Sequence, residues 1–138
     1  MTKSWLIDKS AIIWLPTCTD VGLWLNRIDR GLVRICTPTL LEEGYSARSG
    51  ADWDALMSGH FHLSLPLEYI TPDAERRALE VQSFLARRGQ HRAASVPDIL
   101  IAAIAERSGL TVLHVDKDFD LIAEVTGQPV ERLRLDSD

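Results

Sequence analysis

The stretch Leu110-Thr111-Val112-Leu113-His114-Val115-Asp116 decides the fold. It is a short, mostly apolar run rich in β-branched residues, set between Gly109 and an acid, and it reads as a strand buried on both faces. A run of the same kind, Ser4-Trp5-Leu6-Ile7-Asp8, lies near the amino end and also finishes in an aspartate. Leu32-Val33-Arg34-Ile35-Cys36 is another strand, and Val130 to Leu135 reads as the last. Between them the period changes to that of helices. Lys9 to Trp14 makes a helical turn or two before Pro16, and Val21, Leu25, Ile28 and Leu32 recur at helical spacing behind a Thr19 or Asp20 cap. Thr37-Pro38 opens a helix expected to reach about Arg48, and Ala51 to Met57 forms another, broken at Gly59. Pro72-Asp73 starts an amphipathic helix ending near Arg88-Gly89. Ser95-Val96-Pro97-Asp98 starts one that closes at Gly109, and Asp118 one that reaches Gly127. His60 to Leu67 is ambiguous; its alternating Phe61, Leu63 and Leu65 favour a short extended segment.

Continuous apolar strands separated by helices predict a parallel sheet covered on both faces, an α/β sandwich. At 138 residues, without repeat or linker, the chain reads as one domain over 1–138. Hydrophobic residues are 46% and charged residues 25%, an ordinary globular composition. Acids outnumber bases 20 to 15. That excess argues against holding nucleic acid through bulk positive charge, and leaves open a route through metal ions. Cys18 and Cys36 have no C-x-x-C spacing, so they read as reduced core thiols rather than a disulfide or zinc framework. Asp8 and Lys9 interrupt the apolar start, so no secretory signal is expected. Ile99 to Ala105 is too short to span a bilayer, and a cytoplasmic protein without membrane contact is expected.

In parallel sheets, ligands gather beyond the carboxyl ends of the strands. Asp8 and Asp116 end strands, Asp98 begins a helix with an almost wholly apolar face, and Glu42 lies one turn inside the helix from Pro38. Singly, each has a bland explanation: Asp98 as a cap, Asp8 and Asp116 as turn residues, Glu42 as helix solvation beside Glu43. As a set they differ, because the sheet would bring them to one edge. Converging carboxylates repel unless hard cations bind, and oxygen-only ligation suits Mg²⁺ or Mn²⁺.

The residues also carry a resemblance. Leu6-Ile7-Asp8-Lys9-Ser10-Ala11 resembles the opening strand and turn of PIN domains. Pro97-Asp98-Ile99-Leu100-Ile101-Ala102-Ala103 and Val112-Leu113-His114-Val115-Asp116-Lys117-Asp118-Phe119-Asp120 resemble their second half. Pro38 to Arg48 and Gly89-Gln90-His91-Arg92 are similar to the VapC toxin branch. The resemblance spans nearly the whole chain, in order. It implies a PIN-like three-layer α/β/α sandwich with a central parallel sheet. It implies a Mg²⁺-dependent endoribonuclease toxin, usually homodimeric, inhibited by a cognate VapB-type antitoxin in a hetero-oligomer. Asp8, Glu42, Asp98 and Asp116 match the family's acidic quartet, and Asp118 a further acid near a second metal. Glu42 is preferred over Glu43 because it keeps the family spacing to Tyr45-Ser46-Ala47-Arg48. Ser10 matches a small hydroxyl residue that holds the first carboxylate.

On that reading Asp8, Asp98 and Asp116 ligate Mg²⁺ or Mn²⁺, Glu42 ligates or orients the attacking water, and Asp118 joins a second ion. Arg87, Arg88, His91 and Arg92 are the candidates for guiding the RNA backbone, with a solvated helix end as their plain alternative. Trp5, Trp14, Trp24 and Trp53 read as core or interface rather than stacking platforms, and His60, His62 and His114 as structural. An apolar groove among the first two helices, including Trp14, Leu23 and Trp24, would suit an antitoxin segment, and core packing explains these residues equally well. A phosphoacceptor receiver domain also sets acids at strand ends. It needs paired acids near the first strand and a lysine at a later strand end; the pair is absent, and Lys117 follows an acid. A catalytically silent PIN-fold binding module is the remaining alternative, against which the intact acidic set argues. Setting the five acids aside leaves fifteen acids against fifteen bases.

Overall fold

A computed structural model describes residues 2–136; Met1, Ser137 and Asp138, the outermost residues of the expected 1–138 span, lie outside it. The strands are β1 (Trp5–Ile7), β2 (Val33–Cys36), β3 (Leu67–Glu68), β4 (Thr111–His114) and β5 (Val130–Arg132). They form one sheet in the order β3-β2-β1-β4-β5, every neighbouring pair parallel. Trp5 is level with Thr111 and Ile7 with Leu113, so Asp8 and Val115-Asp116 leave the sheet side by side.

The helices are α1 (Lys9–Trp14), α2 (Val21–Asp29), α3 (Thr37–Tyr45), α4 (Gly50–Met57), α5 (His60–Leu63), α6 (Pro72–Arg87), α7 (Val96–Arg107) and α8 (Lys117–Thr126). Alternation along β1 divides them into two layers. Leu6, with Cys36 and Val112, packs beneath α6, α7 and α8, among Val81, Leu85, Ile101, Ile104 and Phe119. Trp5 and Ile7, with Val33, Ile35 and Leu113, pack against Ala11, Leu15, Trp24 and Ile28 on the opposite face. This is the expected α/β/α sandwich. Cys18 and Cys36 are free and buried.

Some boundaries differ from the sequence expectation. His60–Leu63 is a single helical turn and only Leu67–Glu68 is strand. Phe61 and Leu65 satisfy both periods, being two alternate positions apart and also i and i+4 on a helix. Leu63 between them breaks the tie: it is 72% exposed while Leu65 is buried. Helix α3 stops at Tyr45, three residues short of Arg48, where Ser46 and Ala47 donate to the carbonyls of Glu43 and Gly44 in tightened turns. A Cβ at Gly44 would lie 2.5 Å from Trp53 Nε1, so a larger residue would force the Trp53 ring to shift. Trp5 and Trp24 are core residues in edge-to-face contact at 5.1 Å, with the Arg27 guanidinium 4.4 Å from both rings. Trp14 and Trp53 stand half out of the surface.

Candidate metal centre

Asp8 is the N-cap of α1. Its carboxylate accepts the Ala11 amide at 3.0 Å and the Ser10 hydroxyl at 2.8 Å, and it is 3% exposed. The Ser10 hydroxyl in turn accepts the Val115 amide at 2.9 Å, tying the exit of β1 to that of β4. Asp116 caps α8, accepting the Asp118 amide at 2.9 Å, while its own amide donates to His114 Nδ1 at 3.1 Å. Asp98 sits in the first turn of α7, which Ser95 caps and Pro97 preorganises, and it too is buried. Asp118 Oδ2 accepts the Ser95 amide at 3.2 Å and so pins the start of α8 to that of α7.

These starts converge. Asp8, Asp98 and Asp116 each offer an oxygen, all within 4.8 Å of one another. Ser10, Glu42, Asp118, Lys9, Ile13 and Ser95 complete the wall of the same cavity, about 280 Å³. Burial raises the Asp8 carboxyl to about 6 against the opposing Ala11 and Ser10 hydrogen bonds, with Asp116 adding to the rise. Burial pushes Asp98 further, helped by Asp118, Asp116 and Asp8. Glu42 is raised by burial while the Lys9 charge opposes the shift. Carboxyls whose charge is disfavoured in this way either keep their protons or are stabilised as anions by a cation. The donors are all carboxylate oxygens, which fits Mg²⁺ or Mn²⁺.

The expected residues divide by place. Asp8, Asp98 and Asp116 form the tight group, while Glu42 and Asp118 border it. Glu43 turns away: its carboxylate lies 3.2 Å from His62 Nε2, both side chains largely buried. Arg87, Arg88, His91 and Arg92 do not line the cavity. Arg87 donates to Ser83 at 2.6 Å and Arg88 to Glu124 at 3.2 Å, and the exposed His91 and Arg92 lie in the connection leading to Ser95. Sequence reading missed the acceptor role of His114 and the bond from Lys9 Nζ to Ser46 Oγ at 2.8 Å. A histidine two places before Asp116, in a strand otherwise apolar, was the available signal for the first; nothing local signals the second.

A five-stranded parallel sheet with three buried or bordering aspartates, two at the shared exit of β1 and β4 and one at a helix start, is the arrangement of a PIN domain. The chain belongs to that family, whose model, described as PIN domain, matches residues 5–125. Its relatives fall in the VapC branch. It is 57% identical to Ribonuclease VapC2 of Mycobacterium tuberculosis (strain CDC 1551 / Oshkosh) over 95% of this chain and 93% of that one. It is 42% identical to Ribonuclease VapC21 of the same strain, over 95% and 94%. The solved structure of DNA-bound VapBC from Salmonella typhimurium shares the fold, with a TM-score of 0.77 at 20% identity, covering 95% of this chain and 98% of that one. The receiver-domain alternative falls with that membership.

Proposed function

We propose that residues 1–138 form one PIN domain acting as a Mg²⁺- or Mn²⁺-dependent endoribonuclease, the toxin of a toxin-antitoxin pair. The convergence of Asp8, Asp98 and Asp116 within 4.8 Å carries the reading, beside relatives named as ribonucleases. These three carboxylates would hold the ion, and Asp118 would join them if a second binds. A bound divalent ion neutralises the phosphate, lowers the pKa of water and stabilises the leaving oxygen.

The chain's own residues do the arranging. Ser10 fixes the Asp8 carboxylate, His114 and the Asp118 amide fix Asp116, and Ser95 fixes the start of α7. Glu42, in the wall of the cavity, would orient the attacking water and accept its proton at the carboxylate. Arg87 and Arg88 at the end of α6, with His91 and Arg92 in the connection before α7, would supply local positive charge for the RNA backbone to an acidic protein. The test is cleavage of RNA with Mg²⁺, with EDTA, and by Asp8→Asn. Equal cleavage by Asp8→Asn, folded by circular dichroism, overturns the reading.

A VapB-type antitoxin is the proposed partner, supported by the likeness to VapBC complexes. An apolar groove of about 490 Å³ lined by Ile12, Leu15, Pro16, Val21, Leu25 and Phe61 offers its segment a seat. Trp24, expected in that groove, is 1% exposed and belongs to the core, whereas Trp14 and Leu23 are exposed. A homodimer is supported by the exposed apolar residues Leu41, Tyr45, Leu79 and Val96, and its check is a light-scattering mass twice that of the monomer. Among the described residues no helix is long and apolar enough to cross a membrane.

A further inference from the structure

Lys9 is a cation in the wall of a cavity otherwise rich in acids; its charge acts on the Glu42 carboxylate, but its hydrogen bonds go elsewhere. Nζ donates to Ser46 Oγ at 2.8 Å and to the Glu42 carbonyl oxygen at 3.4 Å. Ser46 Oγ lies 3.5 Å from that same carbonyl. Glu42 and Ser46 are one helical turn apart at the C-terminal end of α3, where backbone carbonyls lack intrahelical partners and a positive charge is favoured. The lysine side chain therefore acts as a C-cap supplied by another helix. Its own backbone is the first residue of α1, directly after Asp8.

We propose that Lys9 is a positioning residue for Glu42, fastening the last turn of α3 to the start of α1 and so fixing how far the Glu42 carboxylate stands from the Asp8 cluster. The proposal deepens the nuclease reading and rests on the role given there to Glu42. Strand β2 delivers α3 to this edge, but the turn carrying Glu42 ends in solvent-exposed Tyr45 and Ser46. The Lys9 link fastens that turn to α1, while the Glu43–His62 contact and Trp53 beside Gly44 hold its other side. The competing assignment, a direct phosphate contact by the ammonium, makes opposite kinetic predictions.

The experiment compares wild type, Lys9→Met, Ser46→Ala, Glu42→Gln and the Lys9→Met/Glu42→Gln double variant. Cleavage is followed on a random-sequence quenched fluorescent RNA pool with Mn²⁺, and Mn²⁺ binding is measured separately by electron paramagnetic resonance. Lys9→Met should lower kcat about tenfold or more with KM changed less than about twofold, because a misplaced water-orienting group affects the transition state rather than substrate binding. The double variant should be no slower than Glu42→Gln alone, since residues acting as a unit are not additive. Mn²⁺ affinity of Lys9→Met should be unchanged or tighter, because a positive charge near the acids has been removed. Ser46→Ala, at an exposed side chain, should show a smaller loss in the same parameter, and it reports on the link should Lys9→Met fail to fold.

A loss confined to KM overturns positioning in favour of phosphate contact. Additive losses in the double variant, or weakened Mn²⁺ binding in Lys9→Met, also overturn it. Wild-type kcat in Lys9→Met beside an impaired Glu42→Gln overturns the role of Lys9 alone. Wild-type kcat in Glu42→Gln overturns the role of Glu42 and this proposal with it.

Discussion

Ser10 Oγ lies 2.8 Å from both carboxylate oxygens of Asp8, and the same hydroxyl accepts the Val115 amide. One small side chain thus orients the first acid and ties together the exits of β1 and β4. Replacement by alanine leaves the Val115 amide without that acceptor. Ser10→Ala should cost about 1–3 kcal/mol in urea unfolding. Groups that orient metal-binding side chains are worth about 10–100-fold in affinity or activity, and Mn²⁺ titration of Ser10→Ala should show a loss in that range. An unaltered affinity would remove Ser10 from the site.

Stability without a metal should fall as pH rises. The Asp8 and Asp98 carboxyls are raised in the folded chain, so between about pH 4 and their folded values the native state binds more protons than the unfolded state. Unfolding free energy then decreases across that window, whose Asp8 share ends near pH 6 and whose Asp98 share extends higher. Saturating Mg²⁺ should flatten the slope by stabilising the ionised forms. Thermal midpoints between pH 5 and 8, in EDTA and in Mg²⁺, check this; parallel slopes would count against a cation at the cluster.

Asp98→Asn should separate stability from activity. It removes a charge that burial, Asp118, Asp116 and Asp8 all disfavour. The thermal midpoint in EDTA should rise by about 3 °C or more, since 1 kcal/mol moves a domain of this size by several degrees. The increment produced by Mn²⁺ should vanish, and RNA cleavage with it. A lower midpoint in EDTA would show that Asp98 stabilises the first turn of α7 rather than straining it.

Adjacent glutamates should behave as opposites. Glu42→Gln should reduce cleavage by about a hundredfold, within the range of general acid–base groups, and leave urea unfolding nearly unchanged. Glu43→Ala should keep cleavage and cost about 1–3 kcal/mol, because it leaves buried His62 without its partner. Reversal of this pattern would transfer the functional role to Glu43.

The sheet and most of the site were legible because each rests on a local signal. Strands β1 and β4 are apolar runs closed by an acid, and the helices after them begin with caps that the same acids provide. What was hidden depends on chain direction in space. Phe61, Leu63 and Leu65 satisfied the strand period, but Phe61 and Leu63 lie in a helical turn that leaves Leu63 exposed, and Leu65 follows it. Glu42 and Glu43 are indistinguishable by composition. A rotation of about 100° per residue sends one to the cavity and the other to His62. The Lys9 to Ser46 bond spans 37 positions and has no sequence pattern at all.

The sheet order also governs when the centre can exist. Strand β4, made late, lies beside β1, made first, and neither the ledge for Asp116 nor the Val115 amide that steadies Ser10 is present until they pair. A growing chain that has reached only Gly109 already contains Asp8, Glu42 and Asp98, yet the sheet edge on which they meet is unbuilt. Chains that stop short of β4 would therefore lack the assembled acidic cluster. Hydrolytic capacity would arrive in a single step, at the moment the β1–β4 pair closes.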